Sequence, residues 1–425
     1  MVLFSRSFFL LWQGQLVSQL GNQAFLIATA YDTFEKTGST TLVGAVMMAS
    51  TVPLAVLGPL GGTVADRHSR RAILIVTDLL RALAVGAVGM LLLWRPDVTA
   101  DQIGLLILVA AFNGTMAAMF SPAVQAIIPD LVPSGRLASA NSVSQLSTQA
   151  TILAGQALGG VLYLRWGAAW LLLVDAFSFA YGALATSFIP ADRKASEQRV
   201  SLWFAIRRYV VETHEGIVYV RRRRGMIPVL VVFAGVNFLF MPVFVLLPLY
   251  VRSVLDRGPD WYGFLLAGSA AGALCGAALA SVVLTRVRAY TRLLAACVGG
   301  IASCVLALAA TNAGSVVLAI FVTIGLLSSV INVTVITVFQ SAVPTEVRGR
   351  VMALVVALST AAVPIGMGLG GVLGDLWRGS LASVFATCGG AIAILIAVGA
   401  RIPGFGDVLD ARDGRTRRGG PAATL

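Results

Sequence analysis

Along this chain, long apolar runs alternate with short polar breaks, and each run is long enough for a helix to cross a bilayer. Reading the breakers between them places spans near 8–33, 41–63, 72–94, 102–126, 139–163 and 169–189, then near 226–252, 261–284, 291–310, 315–340, 351–376 and 380–400. A polar interval, 190–224, separates the two sets. Within it Leu202, Trp203, Ile206, Tyr209, Val210, Ile217 and Val220 recur at helical spacing among basic residues. That spacing predicts an amphipathic helix on the membrane surface, with Arg221 to Arg224 near the headgroups. The Gly-, Arg- and Asp-rich tail after Arg401 reads as disordered. The pattern predicts an all-α polytopic membrane protein of twelve transmembrane helices in two six-helix repeats. The first half is 1–189, the linker 190–224, the second half 225–400 and the tail 401–425.

Composition and charge sharpen this picture. With 425 residues, 58% hydrophobic and 12% charged, and a mean hydropathy of +0.88, the chain is no ordinary soluble domain. A net charge of +12 raises nucleic acid as a partner. A binder, however, gathers its basic residues on one exposed face, and here they punctuate apolar runs, so no nucleic-acid partner is expected. Their placement sets orientation instead. With the start inside, twenty-four Lys and Arg fall in cytoplasmic segments and six outside, which predicts a multi-pass protein of the cell membrane with both termini cytoplasmic. Cys275, Cys297, Cys304 and Cys388 lie within apolar runs without metal-ligand or C-x-x-C spacing and read as packing residues, so neither disulfide, metal nor cofactor is expected. Near the start, Arg6 followed by an apolar run looks like a leader, but Gln15, Gln19, Asn22 and Gln23 interrupt it. An uncleaved first helix is the expectation.

The two sets of spans are related. Gly155, Leu158, Gly159, Gly160, Val161, Leu162 and Trp166 are matched 211 residues later by Gly366, Leu369, Gly370, Gly371, Val372, Leu373 and Trp377, and Val132-Pro133 meets Val343-Pro344 at the same offset. This predicts parallel repeats about an axis along the membrane normal. Between the second and third spans, GPLGGTVADRHSRR (58–71) passes abruptly from small apolar to basic residues. Its Val64-Ala65-Asp66-Arg67 is answered by Val283-Leu284-Thr285-Arg286, which keeps the arginine and loses the acid.

That loop resembles the G-x-x-x-D-[RK]-x-G-[RK]-[RK] pattern of the major facilitator superfamily through Gly62, Asp66, Arg67, Arg70 and Arg71, with Ser69 in place of the second glycine. Further stretches resemble its drug and siderophore exporter branch, that of the macrolide-efflux-like and enterobactin-exporter-like proteins. They are Thr37-Gly38-Ser39, Asp78-Leu79-Leu80-Arg81-Ala82, Ile128 to Pro133, Ala140-Asn141, Asp175 to Phe179, Asn237 and Pro344 to Val351. Where export members of the family often carry Gly-Pro in span five, this chain has Gly155-Gln156, which weakens any inference of antiport from that motif. The resemblance implies a secondary active transporter. It would export amphiphilic small molecules by alternating access, coupled to protons, as a monomer among membrane lipids with a small-molecule substrate and no cofactor. No G-x-x-x-x-G-K-[ST] phosphate cradle and no G-x-S-x-G occurs, and His68 and His214 lie in cytoplasmic segments. An enzyme is therefore not expected. The alternatives are a non-transporting scaffold or receptor on the same fold, or an intramembrane enzyme.

Three groups of residues are candidates for function. The resemblance implies that the loop docks against the second half when the inner side is closed, so Gly62, Asp66, Arg67, Arg70 and Arg71 form a conformational gate. Asp78 and Arg81, at helical spacing on the first turns of span three, are assigned to the same network. By resemblance again, spans one, four, seven and ten line the central path, and each carries amides that lipid would not tolerate: Gln15, Gln19, Asn22 and Gln23; Asn113 and Gln125; Asn237; Asn332 and Gln340. Gln145 and Gln149 in span five repeat the spacing. Gln19, Asn22, Asn113, Gln145, Gln149, Asn237 and Asn332 are the predicted substrate cavity. No Lys or Arg lies in the middle of these lining spans, which suits uncharged or weakly cationic amphiphiles. Acids within a span mark ion paths, making Asp32 and Asp175 the proton-coupling candidates. Asp175 has a structural alternative, hydrogen-bonding a neighbouring helix, and Asp375 lies nearer the outer end.

Overall fold

The computed structural model describes residues 5–95, 100–190, 211, 214–223, 225–287, 289–377 and 379–406. Its helices are α1 (Arg6–Thr37), α2 (Thr40–Arg67), α3 (Arg70–Trp94), α4 (Ala100–Leu131), α5 (Leu137–Ser187), α6 (Met226–Val245), α7 (Leu247–Ser253), α8 (Pro259–Arg286), α9 (Tyr290–Leu308), α10 (Gly314–Ala342), α11 (Thr345–Leu376) and α12 (Leu381–Gly399). Ten of these described helices, α2 to α6 and α8 to α12, are long and apolar enough to cross a membrane. The amide-bearing α1 is not one of them.

Two expected spans share α5. The break between them is a single residue, Gly167, whose φ of 74° and ψ of 179° suit only glycine, so the chain reverses there without the expected loop. Span seven is instead divided. Pro248, at the start of α7, has no N–H to continue the ladder of α6, and the axis breaks at Leu246. The start of α1 is capped by Ser5, whose hydroxyl accepts from the Phe8 N–H at 3.1 Å. Residues 191–210 lie outside the described ones, and with them most of the expected amphipathic helix. The helical stretch 214–222 packs on the second half, where Glu215 pairs with Arg350 at 2.6 Å and Val220 joins the core.

Helices α1 to α5 pack among themselves, as do α6 and α8 to α12; the main bridges between the groups are α2 against α11 and α5 against α8. Both crossings use glycine on glycine, which lets backbones approach where lipid supplies no hydrophobic drive. A Cβ on Gly44 of α2 would lie 2.7 Å from the Met367 carbonyl and 3.2 Å from Gly371 Cα; one on Gly263 of α8 would lie 2.9 Å from Gly160 Cα. Gly160 and Gly371 are the repeat partners recognised in the sequence, so the duplicated motif forms both crossings. The duplication also reaches inside each group, where Gly114 rests on the Ser50 carbonyl and Gly325 on that of Ser269.

These crossings lie at one end of the bundle, the far end, which carries Gly38, Pro259 and Leu376. At the other, basic end the same four helices expose apolar side chains, among them Val56 of α2, Leu146 of α5, Val282 of α8 and Val356 of α11. One continuous apolar core fills the second group and runs across the far end into the first through Ile27, Tyr31, Val43 and Tyr163. In the first, two apolar clusters, one around Phe8, Leu74 and Ile127 and one around Val85, Leu106 and Leu172, are separated by a polar layer.

Candidate functional site

That layer is built by α3, α4 and α5. Asp78 and Arg81 occupy the third and fourth turns of α3 and Asp175 the middle of the second limb of α5. Their exposures are 1%, 6% and 0%. Arg81 Nη1 stands 3.9 Å from Asp78 Oδ1, and Nη2 donates to the Asn113 carbonyl at 3.4 Å. The guanidinium carbon lies 5.0 Å from the centre of the Phe120 ring and 5.2 Å from that of Phe179, so two aromatic faces supply part of the stabilisation water would give. Ser178 Oγ stands 3.4 Å from Asp175 Oδ1. Both oxygens of Asp78 and Oδ2 of Asp175 are buried without a hydrogen-bond partner among the described residues. Neighbouring helices make room for the acids with glycines. A Cβ on Gly21 of α1 would lie 2.8 Å from Asp175 Oδ1, and one on Gly182 would lie 3.0 Å from Asp78 Oδ2.

Beside this layer α1, α2, α4 and α5 enclose a cavity of about 360 Å³. Its polar wall includes Gln15, Ser18, Gln19, Asn22, Asn113 and Arg81, and its apolar wall includes Phe25, Leu26, Met47, Phe120 and Phe179. Three of the predicted amides, Gln19, Asn22 and Asn113, are therefore together. Gln19 is also fixed from α5, accepting from the Thr151 hydroxyl at 3.1 Å. The other four do not line it. Gln145 and Asn332 are exposed and Gln149 is half-buried, while Asn237 donates to the Phe233 carbonyl of its own helix at 2.9 Å. The expectation of a path without a basic residue meets a correction. Arg81 reaches the wall from α3, a helix outside the four thought to line it.

The loop arginines engage their own half. Arg70 donates to the Ala126 carbonyl at 2.8 Å and forms an ion pair with Asp130, while Arg71 donates to the carbonyls of Thr186 and Ser187. They tie the start of α3 to the ends of α4 and α5. A Cβ on Gly62 would meet open space, and Arg67 Nε and Nη2 are buried without hydrogen-bond partners among the described residues. The side chain of Asp66 lies outside the described residues. Asp78 and Arg81 are set apart from this loop, in the buried layer.

At the far end Asp32 pairs with Lys36 at 3.1 Å and accepts from the Tyr163 hydroxyl at 3.2 Å, which also donates to Glu35 at 2.8 Å. Asp375, at the end of α11, accepts from the N–H groups of Thr40 and Thr41, both at 3.0 Å, and from the hydroxyls of Ser39 at 2.6 Å and Thr40 at 3.1 Å. It caps α2 from the opposite half. Sequence reasoning missed both this clamp and the position of Arg81. Arg81 left a signal, being the only basic residue away from an end of an expected span; the clamp left none, because it joins residues more than 330 apart in sequence.

The family model described as Major Facilitator Superfamily matches residues 11–367. Macrolide efflux protein A of Streptococcus pyogenes is 24% identical over 369 residues, 87% of this chain and 89% of that protein. Multidrug efflux pump Tap of Mycolicibacterium fortuitum is 30% identical over 370 residues, 85% of this chain and 87% of the pump. Among solved structures, a bacterial homologue of the human lysosomal transporter Spinster, in an inward-facing and unoccupied conformation, matches with a TM-score of 0.70 over 96% of this chain and 97% of its own, at 14% identity.

Proposed function

This chain belongs to the Major Facilitator Superfamily, and from that premise we propose that it exports amphiphilic small molecules, drug- or siderophore-like, from the cytoplasm by proton-driven alternating access. The observation that carries the reading is the cavity. Amides and hydroxyls within an apolar, aromatic wall hold uncharged or weakly cationic amphiphiles, orienting them by hydrogen bonds while apolar area supplies affinity. Arg81 does not turn the wall into an anion site, because Asp78 and Asp175 outnumber it. The names of the relatives, a macrolide efflux protein and a multidrug efflux pump, support the same direction and substrate class.

The two crossings and the Asp375 clamp close the far end. With the basic loops in the cytoplasm, that closure is on the outside and the exposed faces of α2, α5, α8 and α11 open inward, the state in which an exporter loads. For coupling, Asp32 is committed to Lys36 and Tyr163, which favours Asp175, with its unmatched oxygen, as the proton carrier.

The test is efflux of a fluorescent lipophilic cation from cells stripped of their own exporters. Cells making the protein should retain several-fold less dye, and a protonophore should abolish the difference. Equal retention with and without the protein, at verified membrane abundance, would reject export; a difference that survives the protonophore would reject proton drive.

A further inference from the structure

Every charged side chain buried among the described residues lies in the first half: Asp32, Asp78, Arg81 and Asp175. Asp32 has its cation beside it. The other three form a set that does not balance, two carboxylates around one guanidinium, with three carboxylate oxygens lacking any hydrogen-bond partner. We infer that Asp78 and Asp175 together form a single proton-binding site, balanced by Arg81 and opening to the cavity on the Arg81 side. The inference rests on the proposal of proton-driven export and gives it a location.

The argument is one of charge and shape. Two ionised carboxylates in one water-poor layer repel, and one cation offsets only one of them, so the layer is neutral when it holds one proton. No other buried charged group among the described residues offsets the second carboxylate of this layer. The charged groups facing the pocket are Asp78 and Arg81 from α3 and Asp175 from α5. Helix α1 presents Gly21, α4 presents the Asn113 carbonyl and the Phe120 ring, and α5 adds Ser178, Gly182 and the Phe179 ring. A metal ion is the wrong ligand, because the guanidinium already occupies the position a cation would take against Asp78. A proton suits three unmatched acceptors, since protonation of either acid removes the excess negative charge that the single guanidinium leaves.

Access runs through Arg81 and Phe179, which belong both to the layer and to the cavity wall. In the exchange the O–H bond of one carboxylic acid breaks, the proton passes to cavity water, and the layer is left with one net negative charge beside Asn22 and Asn113. That charge attracts a cationic amphiphile into the cavity; return of a proton restores neutrality and releases it. Substrate and proton thus compete through electrostatics without sharing an atom.

Infrared difference spectroscopy on the purified full-length protein, labelled with ¹³C at aspartate side chains and titrated without substrate, tests the site. Wild type should show one isotope-sensitive carboxylic-acid band, lost from both Asp78→Asn and Asp175→Asn, because either change leaves one acid for one arginine, and kept in Asp32→Asn. Where an Asn variant does not fold, Ser178→Ala, which removes only the hydroxyl beside Asp175, should shift the band. Absence of the band from wild type, its survival in either folded Asn variant, or a band indifferent to Ser178→Ala would overturn the inference. A failure of export is separable. Protein that shows the band but moves no dye would reject transport and leave the site, while protein that exports dye without the band would do the reverse.

Discussion

At the residue scale, the amides that look alike in sequence separate once their neighbours are known. Asn22 and Asn113 meet across the cavity, whereas Asn237 satisfies itself on its own helix and Asn332 is exposed on α10. We expect Asn22→Ala and Asn113→Ala to change the ratio of transport rates between two unlike substrates several-fold. Asn237→Ala and Asn332→Ala should move both rates together, in step with any change in stability. Transport of two substrates and thermal unfolding of each variant decide the matter; four parallel losses would defeat the assignment. That amides belong inward was legible, because lipid cannot satisfy them. Which of them converge was not, since that depends on how far each helix rotates about its axis, and the rotation is fixed by small-residue contacts such as Gly114 on Ser50 that no single span reveals. The buried layer was half legible. Asp175 stood out as an acid in an apolar run, but its place in one layer with Asp78 and Arg81, which lie more than ninety residues earlier in the chain, comes from the packing of α5 on α3.

At the scale of elements, α2 and α11 present an acid and a helix start to each other at both ends, with their roles exchanged. At the far end the last turn of α11 carries Asp375, which caps the start of α2. At the basic end it is the last turn of α2 that carries an acid, Asp66, and α11 that begins, at Thr345. The resemblance of the 58–71 loop to a gate implies that the second contact forms when the first breaks. Hydrogen bonds to a charged group are worth roughly 1.5–3 kcal/mol, so Asp375→Ala should shift the balance of the two states toward the one open at the far end by about tenfold or more. Spin labels at Arg95→Cys and Asn312→Cys, both exposed far-end positions, should then report a longer distance. Asp66→Asn should act oppositely, lowering transport at normal membrane abundance while keeping the far-end distance short. An unchanged distance in Asp375→Ala, or unchanged transport in Asp66→Asn, would remove the respective lock. At the other crossing Leu164 stands at the repeat position of Asp375 and approaches Gly258, and the acid there, Asp260, belongs to the first turn of α8 itself, so the twin crossing does not repeat the cap that α11 places on α2. The sequence pattern supplied the helices, with the loop expected between the fifth and sixth reduced to Gly167. It could not supply the cap, because a lone Asp near a helix end reads equally well as a solvated charge.

For the whole molecule the question is which end faces which compartment, and the fold alone is silent because a bundle can be turned over without changing any contact. The answer has to come from charge. Short loops rich in Lys and Arg stay on the cytoplasmic side, and the basic end gathers Arg67, Arg70, Arg71, Arg136, Arg286, Arg348 and Arg350, against Lys36, Arg95, Arg165, Arg252 and Arg257 at the far end. The internal repeat makes the prediction stricter, because parallel halves of six spans each place residue 1, the 190–224 segment and the tail on one side together. A cysteine at Gly258, before α8 on the far side, should therefore react with a membrane-impermeant maleimide in intact cells. One at Gln198, outside the described residues but within the linker, should react only after the membrane is opened. The experiment needs a background without the four native cysteines, since Cys275 is exposed in the bundle. Labelling of Gln198→Cys and protection of Gly258→Cys in intact cells would invert the protein. The closed end would then face the cytoplasm, the exposed faces of α2, α5, α8 and α11 would open outward, and the same cavity would be poised for uptake instead of export.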